Sequence, residues 1–341
     1  MKILVIGGTN FIGPAVVRRL YAMGHEVTVF NRRQNQADLP VQVNYLKGDR
    51  NNLQEFKPEF ERLAPQIVLD MIPFTEGEAQ TLMNTFRGIT QRVVAISSMD
   101  VYRAYDVLWN RESEIMPTPL MEDSPLRQQL YPYRGMPEKP LDFTDDYEKI
   151  LVERIVMADR DLPGTVIRLP MVYGAGDPRH RFYAYLKRME ENRPVILLEE
   201  SVARWRSSYG YVENVAHAIA LATTNHRAIA QIYHVAEPEA LSELERIRKI
   251  GELVSWKGVA IALSKDLLPK EWKGGFNFAQ HWVVDSSRLR QELGYEEIVP
   301  VDKSLQQAIA WQLSHPPTER SFWEVPYLLD YATEDKLMSE L

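Results

Sequence analysis

The sequence of 341 residues contains no cysteine. Disulfides, thiolate catalysis and zinc or iron–sulfur sites of the cysteine type are therefore excluded. The sequence also lacks any apolar run near the roughly 18 residues that a membrane span needs, and the apolar run at residues 1–6 is too short for a signal peptide. We therefore expect a cytoplasmic protein without a membrane partner.

An excess of positive charge is absent too, since 40 basic residues face 47 acidic ones and the formal net charge is −7. This balance disfavours non-specific binding to phosphate backbones, so no nucleic-acid partner is expected. The chain is 45% hydrophobic and 26% charged, near the globular average, which is enough to bury a sizeable core. No two histidines have metal-ligand spacing with carboxylates, and we expect no metal site.

Short β-branched runs alternate with helical patterns through the first half of the chain. Strand, helix and strand follow one another at the spacing of a βαβ unit, and its repetition predicts an α/β fold with a Rossmann-type, doubly wound parallel sheet. Apolar runs with few alternating polar residues fit strands that are covered on both faces. The predicted strands lie at 3–6, 26–30, 43–46, 67–69, 92–96 and 165–169. The predicted helices of this part lie at 14–23 and at about 145–160.

The stretch 103–140 carries six prolines and scattered charge without a sustained period, so we expect a long excursion over the surface. Beyond residue 170 the pattern is mixed, which favours a smaller C-terminal α/β substrate domain interleaved with the first. We expect the dinucleotide-binding domain to comprise 1–170, with 209–236 returning to it. The substrate-binding cap then comprises 171–208 and 237–341.

A glycine-containing turn directly follows the first predicted strand and opens the first helix. Glycine is needed where such a turn is tight and where backbone approaches a pyrophosphate, whose charge then lies on free N–H groups of the helix N-terminus. An ordinary glycine-rich turn without a ligand is the alternative. The residues expected to contact a dinucleotide here are Gly7, Thr9, Asn10, Phe11, Ile12 and Gly13.

This turn resembles the start of the extended short-chain dehydrogenase/reductase superfamily, in its NAD-dependent epimerase/dehydratase family. The family pattern Gly-x-x-Gly-x-x-Gly reads Gly7, Asn10 and Gly13 here, and asparagine in place of the middle glycine resembles atypical branches of the superfamily. Asparagine tolerates left-handed backbone better than most residues, so the turn can survive. Further segments that resemble family motifs lie at 92–102, 168–177, 211–216 and 285–295. The resemblance implies a Rossmann-type fold and a homodimer.

The acid that binds the ribose 2′-hydroxyl in NAD enzymes is missing after the second predicted strand, where Asn31, Arg32 and Arg33 stand. Guanidinium groups match a phosphate in a two-pronged geometry, so we expect NADP to be preferred over NAD. Solvated loop charges are the alternative. The resemblance further implies cofactor contacts for Asp49, Met71, Ser97, Pro170 and Val172.

The superfamily uses three catalytic side chains. A serine or threonine holds the substrate oxygen, a tyrosine passes the proton, and a lysine four residues after the tyrosine binds the nicotinamide ribose. The resemblance gives the first role to Ser98 and the last to Lys149. The tyrosine position then holds Asp145, which at neutral pH is a base and not a proton donor.

Tyr147 is a nearby phenol, two residues before Lys149. On a helix that turns about 100° per residue, it would project from the face opposite to Lys149. Tyr147 can therefore be catalytic only if the helix starts late and the chain enters it differently. Otherwise another phenol, such as Tyr131 or Tyr133, would enter the site. The remaining alternatives are an aspartate base, at 145 or 100, and nucleotide binding without turnover.

Two arginine-rich segments lie on the predicted substrate side, at 179–181 and 204–206. Two such clusters facing a cleft would favour a small anionic substrate, and solvated surface arginines are the alternative. The residues expected to bind the substrate are Asp100, Tyr133, His180, Arg181 and Arg206.

Taken together, these features favour an NAD(P)-dependent epimerase/dehydratase-like or reductase enzyme that acts on a small hydroxyl or carbonyl substrate, nucleotide sugars included. Hydride would move between the nicotinamide and a substrate carbon, while Ser98 orients the substrate oxygen and Lys149 holds the ribose. The alternative is a nucleotide-binding structural, regulatory or RNA-associated protein without redox turnover. Asp145 at the tyrosine position motivates that alternative.

Overall fold

A computed structural model of the chain describes residues 1–32, 39–137, 139, 143–273, 275–317 and 329–340. Its strands are β1 (Lys2–Ile6), β2 (Glu26–Asn31), β3 (Asn44–Lys47), β4 (Ile67–Asp70), β5 (Arg92–Ser98), β6 (Gly164–Leu169), β7 (Met171–Tyr173), β8 (Val195–Glu199), β9 (Tyr209–Tyr211), β10 (Ile232–His234) and β11 (Val259–Leu263). The main sheet has the order β10-β6-β5-β4-β1-β2-β3, and each neighbouring pair is parallel. The predicted Rossmann-type parallel sheet is confirmed.

Helices cover both faces of the main sheet and also alternate with the shorter strands of the C-terminal part. They are α1 (Ile12–Ala22), α2 (Lys57–Leu63), α3 (Glu76–Phe86), α4 (Arg103–Leu108), α5 (Lys149–Ala158), α6 (Tyr183–Glu190), α7 (Glu200–Arg204), α8 (Val212–Thr224), α9 (Glu243–Leu253), α10 (Ser287–Leu293), α11 (Val301–Ser314) and α12 (Tyr331–Glu340). Short 3₁₀ turns occur at Arg50–Phe56, Met99–Val101, His226–Ala228, Lys265–Leu267 and Lys270–Trp272.

Both faces of the main sheet are buried. Successive side chains of a strand point to opposite faces, so Ile3 and Val5 of β1 join the core cluster under α1 and α8. Leu4 and Ile6 of the same strand join the cluster under α3 and α5. This double burial explains why the strands read as apolar runs without polar alternation.

The C-terminal part adds two small parallel sheets, β8 with β11 and β7 with β9. Within 209–236, α8 packs against α1, and β10 pairs with β6 at the edge of the main sheet. The chain therefore passes back and forth between the main sheet and the smaller ones. The domain boundaries given above stay a prediction.

The expectation of a surface excursion at 103–140 is wrong for much of that stretch. It begins with α4, and several of its side chains are buried, among them Leu120, Arg127 and Tyr133. Tyr133 packs in a cluster with Tyr105 and Tyr147. Aromatic and apolar side chains spaced without a regular period carry this burial, so the sequence pattern did not reveal it.

The helix predicted at about 145–160 begins later, at Lys149, and ends at Ala158. Glu148 is the N-cap, with extended backbone at φ −160° and ψ 96°, and its carboxylate accepts a hydrogen bond from the backbone N–H of Ile150. Tyr147 forms an isolated antiparallel bridge with Thr75. Tyr147 and Glu148 are therefore extended chain tied to the start of α3.

Phe60 of α2 is fully buried, with ring centroids 5.4 Å from Phe30 and 4.7 Å from Phe86. We expect Phe60→Ala to lower the free energy of unfolding by about 3–5 kcal/mol, because it removes apolar contacts and leaves a cavity. Urea denaturation measures this change. Leu267→Ala is the control, since Leu267 is 52% exposed and its truncation should cost no more than about 0.5 kcal/mol. Equal losses in the two variants would contradict the packing described here.

Candidate active site

At positions 7 and 13, the turn after β1 has room only for glycine. A Cβ on Gly13 would lie 2.6 Å from the carbonyl carbon of Gly8, and Gly7 has a φ of +84°, which side chains rarely adopt. A Cβ on Gly7 would also lie 2.9 Å from a carbon of Ile72. The missing Cβ atoms let the start of α1 approach the turn closely, which is the shape that a pyrophosphate-binding turn requires.

The N-terminus of α1 is open to an anion. Phe11 is the N-cap, with φ 41°, and neither its side chain nor a first-turn acid satisfies the N–H groups of this helix start. Asn10 is exposed, whereas Thr9 accepts a hydrogen bond of 3.1 Å from the amide of Asn31. Ile12 opens the helix. These residues fit the diphosphate of a dinucleotide, since a helix N-terminus favours negative charge.

The structure describes part of the region that is predicted to bind the adenosine half of the cofactor. Arg32 is exposed, and Arg33 lies outside the described residues. The carboxylate of Asp49 accepts a hydrogen bond of 3.0 Å from the backbone of Asn51 and so caps the 3₁₀ turn that follows β3. Met71 is buried at the end of β4. The preference for NADP stays a prediction.

Three further predicted cofactor residues lie on or beside β5 and β6. Ser97 is buried, and its hydroxyl donates a hydrogen bond of 2.5 Å to Glu153 of α5. Pro170 follows β6, and Val172 lies in β7, where its carbonyl accepts a hydrogen bond from Arg181. The Ser97 side chain therefore ties the strand to the helix behind it.

Ser98 ends β5 and begins the 3₁₀ turn Met99–Val101. Its hydroxyl accepts a hydrogen bond of 3.2 Å from the backbone N–H of Asp100. The side chain is half-buried, so it stands at the edge of the buried cluster formed by the residues after it. Its role in holding a substrate oxygen stays a prediction.

Lys149 is buried at the first position of α5, 3% exposed. Its ammonium donates to the carbonyl of Pro73 at 2.7 Å and to that of Ile96 at 2.9 Å, and it lies 4.7 Å from the ring centroid of Phe74. Burial lowers the pKa of Lys149 to about 8, although the nearby charge of Asp100 opposes this shift.

Tyr147 and Lys149 lie on the same side of the chain because the helix starts late. In extended backbone, residues two apart project to the same side, and the chain stays extended through Glu148. Tyr147 is 1% exposed, and its hydroxyl donates a hydrogen bond of 2.8 Å to Asp100. The geometric condition that sequence reasoning set for Tyr147 is thus met, while its catalytic role stays a prediction.

Asp100 is the acceptor at the centre of the site. Its Oδ2 atom accepts from Tyr147 and lies 3.5 Å from the hydroxyl of Tyr133, which also bonds Tyr105 at 2.8 Å. Its Oδ1 atom is buried and has no hydrogen-bond partner among the residues the structure describes. Burial raises the pKa of Asp100 above its ordinary value, while the charges of Arg127 and Lys149 oppose that shift.

A buried ion pair holds these groups together. Arg127 and Glu148 are both fully buried, with an N–O distance of 3.0 Å. Arg127 also donates from Nε to the carbonyl of Asp100 at 2.6 Å. The Glu148 carboxylate accepts from the backbone of Tyr131 at 2.5 Å as well as capping α5. The stretch that was expected on the surface therefore supplies the cation that orders the site.

Asp145, at the family's tyrosine position, is turned away from this cluster. Its side chain is 56% exposed and pairs with Lys139 at 3.1 Å, and it accepts from the backbone of Gly135 at 2.9 Å. These contacts lower the pKa of Asp145. Asp145 is thus a surface acid in the described structure, and Asp100 is the buried one.

Aromatic rings surround Tyr147. Phe143 stacks on it at a centroid distance of 4.1 Å, and Phe74 and Tyr133 lie at 6.0 Å and 5.2 Å. Trp282 of the cap extends this group by packing on Tyr105 at 5.5 Å. The rings exclude water, which strengthens the electrostatic interactions between the buried groups. Sequence reasoning missed this cluster because its members come from separate segments without a common spacing.

The predicted substrate residues of the cap have partners of their own. His180 stacks on Trp311 at 5.2 Å, and Arg206 pairs with Glu245 at 3.1 Å. These contacts hold His180 to α11 and Arg206 to α9, and neither residue is among the described partners of Asp100. Arg181 pairs with Asp177 at 3.6 Å.

Arg179 is the arginine of this segment that interacts electrostatically with Tyr133. It is half-buried, and burial together with the charge of Arg181 lowers the pKa of Arg179 to about 10. The sequence predicts an arginine cluster in this segment, with Arg181 as the substrate contact. Sequence spacing does not distinguish Arg179 from Arg181, whereas the structure brings Arg179 close enough to Tyr133 for an electrostatic interaction.

Among the described residues, no group of three or more histidine, aspartate or glutamate side chains is placed to hold a metal ion. Within that same part of the chain, no helix is long and apolar enough to cross a membrane.

Comparison with known proteins assigns the family. The profile of the NAD dependent epimerase/dehydratase family matches residues 3–125 and 136–236, well over half of the chain. The chain belongs to this family. The predicted family resemblance is confirmed, and the match includes the glycine turn, Ser98 and Lys149.

Among curated proteins, this family member is 23% identical over 248 residues to a chloroplast stem-loop binding protein of 41 kDa from Arabidopsis thaliana, a match that covers 69% of the chain and 58% of the relative. It is 24% identical over 257 residues to 2'-dehydrokanamycin reductase from Streptomyces kanamyceticus, covering 73% of the chain and 66% of the relative. Each match spans less than two thirds of the relative's length.

Among solved structures, the family member is similar to a UDP-glucose-4-epimerase from Stenotrophomonas maltophila with bound NAD and formylated UDP-arabinopyranose. The TM-score is 0.69 at 15% identity, and the match covers 92% of this chain and 98% of the other. The likeness confirms the fold.

The ion pair between Arg127 and Glu148 yields a stability prediction. We expect Arg127→Ala to lower the free energy of unfolding by about 3–5 kcal/mol, because it leaves the Glu148 carboxylate buried without its counter-charge. Arg134→Ala is the matched control, since the pair of Arg134 with Asp146 is exposed on both sides and should contribute no more than about 1 kcal/mol. Urea denaturation of both variants measures the difference, and similar losses would refute the central role of the buried pair.

Proposed function

We propose that this protein is an NAD(P)-dependent oxidoreductase or epimerase that acts on a hydroxyl or carbonyl carbon of a small substrate. The observation that carries the proposal is the grouping of Ser98, Tyr147 and Lys149 around the carboxyl end of β5. Tyr147 donates to the Asp100 carboxylate at 2.8 Å, Ser98 accepts from the backbone N–H of Asp100 at 3.2 Å, and Lys149 donates to the β5 carbonyl of Ile96. The family supports the same chemistry.

The bound nicotinamide would supply a hydride acceptor or donor. The turn from Gly7 to Gly13 and the open start of α1 would hold the diphosphate. Lys149 has three hydrogens, two of which point to the carbonyls of Pro73 and Ile96, so one remains for a ribose hydroxyl. Ser98 would orient the substrate oxygen, and the phenol of Tyr147 would exchange the proton.

A nucleotide sugar is the substrate class that we propose to test first. The support is a solved relative whose name includes a bound UDP-sugar, together with the half-buried Arg179 beside the buried phenols. The fixed positive charge of Arg179 would favour an anionic substrate. A carbonyl substrate without a nucleotide is the second class, in line with the name of the Streptomyces reductase.

RNA binding without redox turnover is a second candidate function, because one relative is named a stem-loop binding protein. The net charge of −7 disfavours it. A gel-shift titration with a stem-loop RNA at several salt concentrations decides the matter. Salt-sensitive binding together with no cofactor binding would replace the proposed function by this one.

Calorimetric titration with NAD⁺, NADH, NADP⁺ and NADPH tests the proposed function. We expect binding of at least one pair, and a weaker affinity for the NADP forms in Arg32→Ala if Arg32 contacts a 2′-phosphate. The affinity should also fall as the pH rises through about 8, because neutral Lys149 keeps only the two hydrogens that its carbonyl partners take. Lys149→Met should abolish this pH dependence. No binding of any form would overturn the proposal.

A further inference from the structure

Asp100 interacts with Tyr147 and with Lys149, the two side chains to which the proposed function gives proton transfer and ribose binding. Its Oδ2 atom accepts the Tyr147 hydroxyl at 2.8 Å, and the carboxylate interacts electrostatically with Lys149. The side chain is 3% exposed, and its Oδ1 atom is buried without a hydrogen-bond partner among the described residues. A buried carboxylate with one free oxygen can take up a proton there or bind a donor from a ligand.

A tyrosine activated by the neighbouring lysine does not fit the contacts of Tyr147 and Lys149. Lys149 donates to two backbone carbonyls, and its ammonium lies 5.9 Å from the ring centroid of Tyr147. A Tyr147 phenolate would face the Asp100 carboxylate across the length of a hydrogen bond, and two adjacent anions in a buried site repel each other strongly. Burial and the Asp100 charge accordingly raise the pKa of Tyr147 well above its ordinary value. Tyr147 therefore stays protonated when Asp100 is ionised.

We propose that Tyr147 and Asp100 act as one acid–base unit, in which Tyr147 contacts the substrate oxygen and Asp100 stores the proton. This inference rests on the proposed function. In the oxidation direction the substrate O–H bond breaks and its proton moves to the Tyr147 oxygen, while the Tyr147 proton moves to Oδ2 of Asp100. The hydride leaves the same substrate carbon for a nicotinamide. Asp100 ends as a neutral carboxylic acid, and the reduction direction reverses each transfer.

The unit differs from a tyrosine activated by lysine in where charge resides. The proton is stored on a carboxyl group whose pKa burial raises above its ordinary value, and not on a phenol. The phenol is a relay that is never ionised for long. Asp145, at the position of the family's tyrosine, takes no part, because it is exposed and paired with Lys139.

Several charged or titratable groups face Asp100 and set its proton affinity. They come from α4, from the stretch between α4 and α5 and from α5, and they are Arg127, Glu148, Lys149, Tyr105, Tyr133 and Tyr147. Arg127 and Lys149 favour the ionised carboxylate, and Glu148 opposes it. The oxidation rate should rise with pH as Asp100 ionises, and the reduction rate should fall over the same range.

A tyrosinate titration tests the coupling without a substrate. Ultraviolet difference spectra from pH 8 to about 12 are recorded for the wild type, Asp100→Asn and the Asp100→Asn/Tyr147→Phe double variant. We expect one phenol to ionise about one to three pH units lower in Asp100→Asn, because the facing anion is gone. The double variant should lose that phenol. An unchanged titration in Asp100→Asn would overturn the inference.

A second variant covers the case in which Asp100→Asn does not fold. Tyr147→Phe removes one hydroxyl, and with it the hydrogen bond that stabilises the Asp100 anion. Infrared titration of the carboxyl C=O band should then show one acid that protonates at a higher pH than in the wild type. A wild-type band pattern in Tyr147→Phe would equally overturn the inference.

Turnover measurements distinguish a failure of this inference from a failure of the proposed function. The probes are UDP-glucose and UDP-glucuronic acid with the cofactor that binds, and hydride transfer is followed by nicotinamide absorbance. We expect Asp100→Asn to lower kcat by about 10²–10⁴-fold and to remove the pH limb, whereas Asp145→Asn should keep the wild-type rate and profile. A wild-type rate in Asp100→Asn refutes the relay alone. No cofactor binding by the wild type refutes the proposed function, and the titration still judges the coupling.

Discussion

The buried ion pair between Arg127 and Glu148 is the constraint on which the candidate site depends. Burying two charges is costly, and the cost is offset here by additional hydrogen bonds on both partners. Glu148 accepts the backbone N–H groups of Ile150 and Tyr131, and Arg127 holds the carbonyl of Asp100. One interaction thus sets where α5 begins, how the stretch after α4 folds back and where the central carboxylate lies.

The start of α5 decides which residues can react together. With the helix beginning at Lys149, an extended residue pair replaces a helical one, and a spacing of two places Tyr147 on the side of Lys149. A comparison by position alone leads to Asp145, which is exposed. In the proposed site the phenol lies two residues later in the chain than in the family pattern, and the late start of α5 compensates for that difference.

The sequence was sufficient for the sheet and the glycine turn, because each depends on local pattern, and the family resemblance pointed to Ser98 and Lys149. The starts of α3 and α9 are also readable from the sequence, because each carries a capping box. These boxes are Thr75 with Glu78 and Ser242 with Glu245. The start of α5 was not readable, since Glu148 caps the helix while paired with Arg127, which lies 21 residues earlier in the chain. Buried Arg127 and the aromatic cluster likewise depend on tertiary contacts.

Lys149 also holds two strand ends together, in addition to its proposed chemical role. Its ammonium joins the carbonyl of Pro73, beyond the end of β4, to that of Ile96 in the neighbouring β5. The side chain is thus a non-covalent crosslink between two adjacent strand ends, and its charge is lost above pH about 8. Above that pH the two carbonyl hydrogen bonds lose their charge assistance, so this crosslink weakens. The same deprotonation removes the third hydrogen, which the proposed function reserves for a ribose hydroxyl.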